Sequence, residues 1–471
     1  MRREEIEAVF AQGADAVITL VRSFEARIEE LERRAGRNSQ NSSMSPSQDP
    51  PASRAERRRK AREAYKRSMR KQGAQPGHEG KSRQLAGPER LDGPVDHLPE
   101  RCSCGHVFSG GEQQLGEPVV FQQWELPVIR PLVFEHRRLR LCCPCCGRSC
   151  LAELPGPALS GYGPRLQAQI VMLAGVFRLS RDQVRQLVEE VFGIPSSKGV
   201  IDNTIMRVSA ILSDPWAELK AAVRGAESVH MDETTWRLKG AVDWLWVATS
   251  ALYACYRVDP HRSQAAAKAL IGEEFGGFVI SDRYAGYHFL DVLQQQLCVA
   301  HVIRQYREIS QHDGIAGQRG ARLVELAGQA IKIYHDHLAG DRGDRPLADQ
   351  LKPVRDEMRT LLEALEKGRD ERAASFAQGL LEEYDALWTF ADVPDANLSP
   401  TNNRAEQAMR HAVIMRKLSG GSQSHRGERF VERIESVRET CRLQGRNTLH
   451  WLTQATTAAH NGQPPPSLTP I

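Results

Sequence analysis

Residues 228–236, SVHMDETTW, carry the pattern on which the fold depends. Val229 and Met231 alternate with His230 and Asp232. This period of two is typical of a strand that buries one face and turns polar groups to the other. Such a strand pairs with others, so the fold class depends on the sequence that follows.

Two apolar stretches follow and extend the strand pattern. WLWVATSALYACYRV at 244–258 is rich in aromatic and β-branched residues and predicts a pair of strands. FVISDRY at 278–284 predicts a further strand, with Asp282 at its C-terminal end. The first and the last of these strands therefore each carry an aspartate.

The rest of this region has helical character. Residues 302–390 contain no strand-like run, and a helix begins near Thr401 after a loop. Strands combined with helices predict an α/β domain at 225–455, with a helical insertion at about 305–392.

The whole chain has 471 residues, which is enough for about three domains. Its composition, 41% hydrophobic and 26% charged, excludes a wholly disordered or fibrous chain. No apolar run is long enough for a membrane-spanning helix, and the charged start MRREEIEAVF lacks an apolar signal core. We therefore expect a cytoplasmic protein.

Basic charge is concentrated in residues 54–71, which hold ten basic and two acidic residues although the whole chain has a net charge of only +4. This arm lies within residues 36–99, a polar segment that predicts a disordered linker and arm. A basic arm favours a nucleic-acid partner, and a solvated charged tail is the alternative. The candidate DNA-binding residues of the arm are Arg57, Arg58, Arg59 and Lys60.

An a/d heptad seam precedes the arm and predicts a coiled-coil oligomerisation helix within residues 1–35. An amphipathic helix that packs on its own domain is the alternative. Spacings along the seam alternate between four and three residues. It consists of Phe10, Ala14, Val17, Val21, Phe24, Ile28 and Leu31.

Residues 160–213 predict three short helices, which begin near Pro164, Arg181 and Ser197. Two helices joined by a short glycine-containing turn are the pattern of a helix-turn-helix DNA reader, and a plain helical subdomain is the alternative. At the other end of the chain, residues 456–471 predict a disordered tail.

Cysteines cluster in residues 100–150, and in a reducing compartment such a cluster is more typical of a metal site than of disulfides. A C-x-C pair and a later C-C-P-C-C segment can supply four thiolates to a tetrahedral Zn²⁺. Cys142 with Cys145 is an alternative register, and His106 or Cys150 is an alternative ligand, while buried or redox-active thiols are the other interpretation. The register Cys143 with Cys146 is favoured because Gly147 follows it directly. The favoured ligand set is therefore Cys102, Cys104, Cys143 and Cys146.

Three carboxylates are the candidate catalytic residues. Asp232 and Asp282 lie on strands, and Glu406, in TNNRAEQAMRHAV, lies near the start of a helix. Carboxylates from two strands and one helix can converge on two divalent cations, because hard Mg²⁺ prefers oxygen ligands. Taken singly, each has a simpler interpretation as a surface aspartate or a solvated helical glutamate.

Around these residues the sequence resembles the TnpC-type DDE transposases of the IS66 family of bacterial insertion sequences. The sequence differs from the family at two points: the first cysteine pair is C-x-C, one residue shorter than the usual C-x-x-C, and Ala74 stands where glycine is common. Both differences affect the assignment of the zinc ligands and leave that of the three carboxylates unchanged. The motifs that carry the resemblance occur in the family's order over nearly the whole chain: RIEELERRAGRNSQNSSMSPSQD, KQGAQPGHEGKSR, the two cysteine knuckles, MDETTWR, SDRYAGY, CVAHVIRQYRE and NNRAEQAMR.

The resemblance implies an RNase H-like core in which Asp232, Asp282 and Glu406 hold two Mg²⁺ or Mn²⁺ ions. It implies a nucleoid-associated transposase that first exposes a 3′-OH at the ends of its insertion sequence and then joins that 3′-OH to target DNA. The expected partners are the terminal repeats, target DNA, further copies of the chain and small accessory proteins of the same element. A catalytically silent DNA-binding regulator and a plain nuclease are the rival functions.

Neighbouring residues have weaker claims. His301, in a C-x-x-H segment with Cys298, is predicted to orient a phosphate or water near the metal ions, and a structural histidine is the alternative. Trp236 is a candidate for stacking on an unpaired terminal base, although a core tryptophan is the simpler interpretation.

The start of the last predicted helix adds three residues. Arg410, one turn after Glu406, is predicted either to contact DNA phosphate or to pair with that glutamate. Asn402 and Asn403 are predicted to cap the helix and to steer Glu406.

Overall fold

The structure is a computed structural model, and it describes residues 10–36, 55, 58–59, 80, 84–154, 161–341 and 343–469. A five-stranded mixed sheet surrounded by helices gives the α/β class that the sequence predicts. In this part of the chain, no helix combines the length and the apolar character needed to cross a bilayer. The chain divides into two compact units, one formed by 1–50 with 131–471 and the other by 51–130.

A long helix, a small hairpin and four further helices precede the main sheet. They are α1 (Ala14–Gly36), β1 (Arg140–Cys142), β2 (Ser149–Leu151), α2 (Pro164–Val171), α3 (Arg181–Phe192), α4 (Lys198–Ile211) and α5 (Ser213–Arg224). The main sheet and its first helix comprise β3 (Ser228–Leu238), β4 (Ala241–Thr249), β5 (Ala254–Asp259), α6 (Gln264–Ile271), β6 (Phe278–Ser281) and β7 (Gln295–Leu297).

Eight α-helices follow the last strand within the described residues. The insertion consists of α7 (Val299–Ile309), α8 (Gly314–Leu338), α9 (Leu347–Glu366), α10 (Glu371–Glu382) and α11 (Thr389–Asp392). The chain then continues with α12 (Asn403–Ser419), α13 (His425–Leu443) and α14 (Thr448–His460).

Helix α1 carries most of the predicted heptad seam but begins later than that seam. Gly13 has a φ of +99°, and the turn there separates Phe10 from the helix. Val21, Phe24 and Leu31 are each about half exposed, so the described part of the chain leaves this seam accessible. Coiled-coil formation remains a prediction.

The main sheet has the order β5-β4-β3-β6-β7, in which β6 and β7 run parallel to β3 and β4 runs antiparallel to it. Side chains alternate across β3, so its two faces meet different layers. Val229 and Met231 pack with α6, whereas Trp236 packs with α12. Asp232 shares the face of Trp236, and Glu233 shares the face of Met231.

Helix α13 covers the outer edge of β5. Polar side chains at every fourth position of the helix accept hydrogen bonds from alternate backbone N–H groups of the strand. The spacings match, because four helical residues advance about 6 Å and two strand residues about 6.6 Å. The strand edge is thereby closed to pairing with another chain. The donors and acceptors are Ala254 with Thr440 (3.0 Å), Tyr256 with Ser436 (2.8 Å) and Val258 with Glu432 (2.8 Å).

The helices of residues 160–213 begin where the sequence predicts. Ser180 and Ser197 cap α3 and α4, and Gly193, at a φ of +64°, ends α3. These helices share one hydrophobic core with α13 and α14, which contribute Phe430 and Trp451. The helical region therefore packs against α13 and α14, and among the described residues its apolar side chains form no separate core.

The predicted disordered tail, 456–471, is wrong as far as Thr469. Helix α14 continues to His460, and Leu468 is fully buried in the same core as α4. The carboxylate of Glu218 accepts hydrogen bonds from the backbone N–H groups of Leu468 and Thr469 at 3.4 and 3.2 Å. The buried side chain of Leu468 and the hydrogen bonds to Glu218 together hold this proline-rich segment against the helices.

Candidate active site

Asp232 and Asp282 come from neighbouring strands. β3 and β6 run parallel, and their register pairs His230 with Ile280. Asp232 and Asp282 each lie two residues further along the chain. Adjacent strands lie about 4.8 Å apart, so Asp232, within β3, and Asp282, directly after β6, are neighbours across the sheet.

Glu406 lies in the first turn of α12, and Asn402 holds that turn against β3. The side-chain amide of Asn402 donates to the carbonyl of Met231 (2.6 Å), and its side-chain oxygen lies 3.1 Å from Nδ1 of His230. Its backbone N–H donates to Sγ of Cys298 (3.2 Å). Asn402 occupies the N-cap position as predicted, but its side chain makes no capping bond and instead bonds to β3, which holds the start of α12 against that strand.

The charges of the site are poorly compensated. Burial raises the pKa of Asp232 well above its usual range, and the nearby carboxylates of Glu233, Asp282 and Glu406 raise it further. The hydrogen bond that Asp232 accepts from the N–H of Glu233, 2.9 Å, lowers the pKa but does not outweigh these effects. Carboxylates that share a site in this way suit a hard divalent cation, which supplies the missing positive charge.

Helix α7 brings two nitrogen groups to Glu406. Nε2 of His301 and Nη2 of Arg304 each lie 3.8 Å from Oε1 of Glu406. Burial, and then the charge of Arg304, lower the pKa of His301, so its imidazole is neutral at pH 7. Nδ1 of His301 is buried and has no hydrogen-bond partner within the described part of the chain.

Cys298, His301 and Glu406 lie closer together than the predicted trio. One ligand atom from each lies within 4.8 Å of the others, the single such group of potential metal ligands among the described residues. Asp232 and Asp282 stand outside this group. That separation is compatible with two ions, which lie about 3.5–4 Å apart in two-metal sites and divide the carboxylates between them.

Two further site predictions have different outcomes. Trp236 is 1% exposed, and its indole N–H donates to Oγ of Ser422 at 3.1 Å. It is a core residue, so the prediction that it stacks on a DNA base is wrong for this conformation. Arg410 is exposed on α12 and lies beyond 4 Å of Glu406, whose cationic neighbour is Arg304. Asn403 is the exposed first residue of that helix.

In the basic arm, the structure describes two of the four predicted DNA-binding residues. Arg58 and Arg59 are exposed, which leaves them free to meet phosphate. Arg57 and Lys60 lie outside the described residues.

The favoured cysteines form two separate turns, which belong to different compact units. The backbone N–H and thiol of Cys104 lower the pKa of Cys102. The backbone N–H groups of Cys146 and Cys145 lower the pKa of Cys143. N–H groups directed at sulfur stabilise a thiolate, which is the form that binds zinc. Both turns therefore fit zinc chemistry, and the four-cysteine site remains a prediction.

Sequence reasoning missed a fourth carboxylate. Glu233 follows Asp232 directly, and its side chain is 2% exposed. Arg262 and Tyr287 bind its two oxygens at 2.8 and 2.7 Å. A second acid beside the first aspartate is visible in the sequence, but nothing there reveals that Arg262 and Tyr287 converge on it.

Comparison with known proteins agrees with the motifs. The family described as Transposase IS66 family matches residues 160–429, more than half of the chain, and a family of unknown function (DUF6444) matches residues 1–84. Two similar proteins come from Sinorhizobium fredii. The uncharacterized protein y4hP is 26% identical over 400 residues, which cover 75% of this chain and 69% of y4hP.

The second relative, the uncharacterized protein y4qI, is 25% identical over 274 residues. The match covers 51% of this chain and 49% of y4qI, so the chain spans about half of that relative. Neither name states an activity. On the family match over 160–429, this chain belongs to the IS66 family of transposases.

Proposed function

We propose that the chain is a DDE-type DNA transposase that cleaves and joins the ends of a bacterial insertion sequence. The observation that carries the proposal is the position of Asp232 in β3 beside Asp282, directly after β6, with Glu406 in the first turn of α12 close enough to raise the pKa of Asp232. The order of the sheet, with the two aspartates on its central parallel pair, supports an RNase H-like core.

Asp232, Asp282 and Glu406 are the residues that would hold Mg²⁺ or Mn²⁺. When bound, these ions supply activation of the attacking oxygen and stabilisation of the leaving oxygen. Asn402 keeps Glu406 directed at β3 through its bonds to Met231 and Cys298. The protein's own contribution is therefore a fixed set of oxygen ligands.

His301 has a separate role in the proposal. Its imidazole is neutral and lies beside Glu406, so one ring nitrogen can accept a hydrogen bond from a water molecule or from the 3′-OH of the DNA end. Arg304, on the same face of α7, is placed to attract a phosphate. Both side chains would orient the reacting groups of DNA.

Other regions would hold the DNA and join the subunits. Arg58, Arg59 and the rest of the basic arm would contact phosphates, as would Arg410 on α12. The exposed seam of α1 would bring further copies together. The cysteine turns would bind zinc, and accessory proteins of the same element would complete the assembly.

The test is Mg²⁺- or Mn²⁺-dependent joining of a pre-cleaved 3′ element end to plasmid DNA. Wild type should join the end, and Asp232→Asn, Asp282→Asn and Glu406→Gln should not. An exposed variant, Glu382→Gln on α10, is the matched control and should keep wild-type activity. Joining by any of the three site variants would contradict the assignment of that residue.

Two additional results separate the rival functions. Cleavage of DNA without any dependence on the element's end sequence would indicate a nuclease. Specific binding of the end with no joining, even after the accessory proteins are added, would indicate a silent regulator.

A further inference from the structure

Glu233 is a buried carboxylate that the proposed chemistry does not use. It follows Asp232 on β3, and side chains alternate along a strand, so Glu233 faces the α6 side of the sheet. Its side chain is 2% exposed although it carries charge. A charged group is seldom buried so completely unless its partners hold it in place.

Both oxygens of Glu233 are occupied. Oε1 accepts from Nε of Arg262 at 2.8 Å and lies 2.5 Å from its Nη2. Oε2 accepts from the hydroxyl of Tyr287 at 2.7 Å. Glu233 is therefore held through both oxygens by protein side chains.

One partner of Glu233, Tyr287, belongs to the segment that carries Asp282, and the other, Arg262, contacts Tyr284 of that segment. Tyr287 lies five residues after Asp282, and the backbone N–H of Tyr284 donates to Oδ1 of Asp282 at 3.1 Å. The hydroxyl of Tyr284 donates to the backbone carbonyl of Arg262 at 2.5 Å, and the guanidinium lies 3.8 Å from the centre of the Tyr284 ring. The whole segment is thus tied to Glu233 by Arg262 on one side and by Tyr287 on the other.

Aromatic packing makes this arrangement rigid. The rings of Tyr284 and Tyr287 meet edge to face, with centres 6.0 Å apart. Both rings also contact Trp246 of β4, at 6.4 and 6.2 Å. Such pairs add stability beyond the area that they bury. The loop after β6 is therefore attached to β3, which carries Asp232, through Glu233, and to β4 through Trp246.

We propose that Glu233 is a positioning residue, which with Arg262 and Tyr287 sets the position of Asp282 relative to Asp232. The inference rests on the proposed function, since it assumes that the two aspartates hold divalent cations. Partners that orient metal ligands typically change metal affinity or activity by about 10–100-fold when they are removed. The set also explains why an acid follows Asp232 directly in the sequence.

The test measures binding of Mn²⁺ to the full chain by electron paramagnetic resonance, together with the Mn²⁺ concentration that gives half-maximal strand joining. Tyr287→Phe removes one hydrogen bond and keeps the charge of Glu233. Glu233→Gln removes the charge and keeps the shape. Each should weaken Mn²⁺ binding about tenfold and raise the half-maximal concentration about as much. Joining at saturating Mn²⁺ should fall much less.

Tyr384→Phe is the matched control. Its hydroxyl donates to the carbonyl of Arg355 at 2.5 Å in the helical insertion, so the variant loses one tyrosine hydrogen bond away from the aspartates. It should change stability without changing Mn²⁺ affinity. If Tyr287→Phe folds and binds Mn²⁺ as tightly as Tyr384→Phe does, the positioning role is overturned.

A second comparison separates this inference from the proposed function. Asp232→Asn should lose Mn²⁺ binding and joining altogether. If wild type neither binds Mn²⁺ nor joins DNA, the proposed function itself fails. If wild type binds Mn²⁺ and Asp232→Asn does not, the metal site stands and Tyr287→Phe decides the role of Glu233.

Discussion

Two carboxylates in this chain, the fully buried Glu435 and the partly buried Asp232, have opposite electrostatic environments. Glu435 on α13 is fully buried, with Nδ1 of His411 at 2.7 Å and Nη2 of Arg438 at 2.9 Å. Burial alone would raise its pKa, but Arg438 and His411 outweigh burial and lower it. Asp232, within β3, has three acidic neighbours, and its pKa is raised.

The difference separates structural from functional use of a buried charge. Arg438 and the imidazole of His411 satisfy Glu435 and make its burial tolerable. The set stabilises the junction of α12, α13 and the helical region, where Nε2 of His411 also lies 2.8 Å from the carbonyl oxygen of Val176. Asp232 lacks such compensation, which is the pattern expected of a carboxylate that holds a cation, as proposed above. The following predictions test this contrast.

The largest effect should be on activity. Asp232→Asn should lower strand joining at least a hundredfold, because an amide cannot replace an anionic ligand of a divalent cation. Glu435→Gln should leave joining per folded molecule within about twofold of wild type. Comparison of the two variants at equal concentrations of folded protein checks this prediction, and equal losses of joining would contradict it.

The next largest effect should be on stability, where Glu435→Gln should cost more than Asp232→Asn. Glu435→Gln should lower the free energy of unfolding by about 3 kcal/mol at pH 7, because buried Arg438 then keeps only Glu439, at 3.1 Å, as an anionic partner. Urea unfolding measures the loss, with the exposed Glu382→Gln as the control that should change little. A loss below about 1 kcal/mol would mean that the buried pair contributes little.

The stability lost in Glu435→Gln should depend on pH. A carboxylate whose folded pKa lies below its unfolded value of about 4.3 stabilises the protein fully above that pH. The contribution disappears as pH falls through the lower folded pKa. The difference in unfolding free energy between wild type and Glu435→Gln should therefore be constant from pH 5 to 7 and shrink below about pH 4. A difference that grows on acidification would contradict the assignment.

A smaller and more local effect should follow removal of zinc. The purified chain should contain about one zinc ion, and Cys143→Ser should lower that content. Chelation should make the cysteine segment sensitive to protease while the α/β sheet stays resistant, because the sheet has its own buried core. Metal analysis that finds clearly less than one zinc per chain would remove the zinc prediction.

The sequence predicts the parts of the fold that local patterns encode. Alternation around Asp232 predicts β3, and Ser180 and Ser197 mark the helix starts that the structure contains. It cannot predict α13, where Glu432 and Glu435 look like a solvated charged face but are buried. Only the tertiary fold shows that Glu432 bonds to the edge of β5 and Glu435 to His411 and Arg438.

The candidate site follows the same rule. The strand and helix contexts of Asp232, Asp282 and Glu406 are readable in sequence, and the register of β3 and β6 agrees with them. The burial of Trp236 and the pairing of Glu233 with Arg262 depend on residues far apart in the chain. Such contacts leave no local signal, so sequence analysis kept Trp236 as a candidate for base stacking beside its simpler interpretation as a core residue, and it missed Glu233.

The most direct test of the central contrast is thermal unfolding of wild type and Asp232→Asn at pH 7, each without metal and with Mn²⁺. Because the folded pKa of Asp232 is raised, metal-free wild type should lose stability as pH rises from about 4, and Asp232→Asn should escape that loss. The variant should therefore unfold at a higher temperature than wild type without metal, and Mn²⁺ should stabilise only wild type. Lower stability of metal-free Asp232→Asn, or equal stabilisation of both proteins by Mn²⁺, would contradict the account.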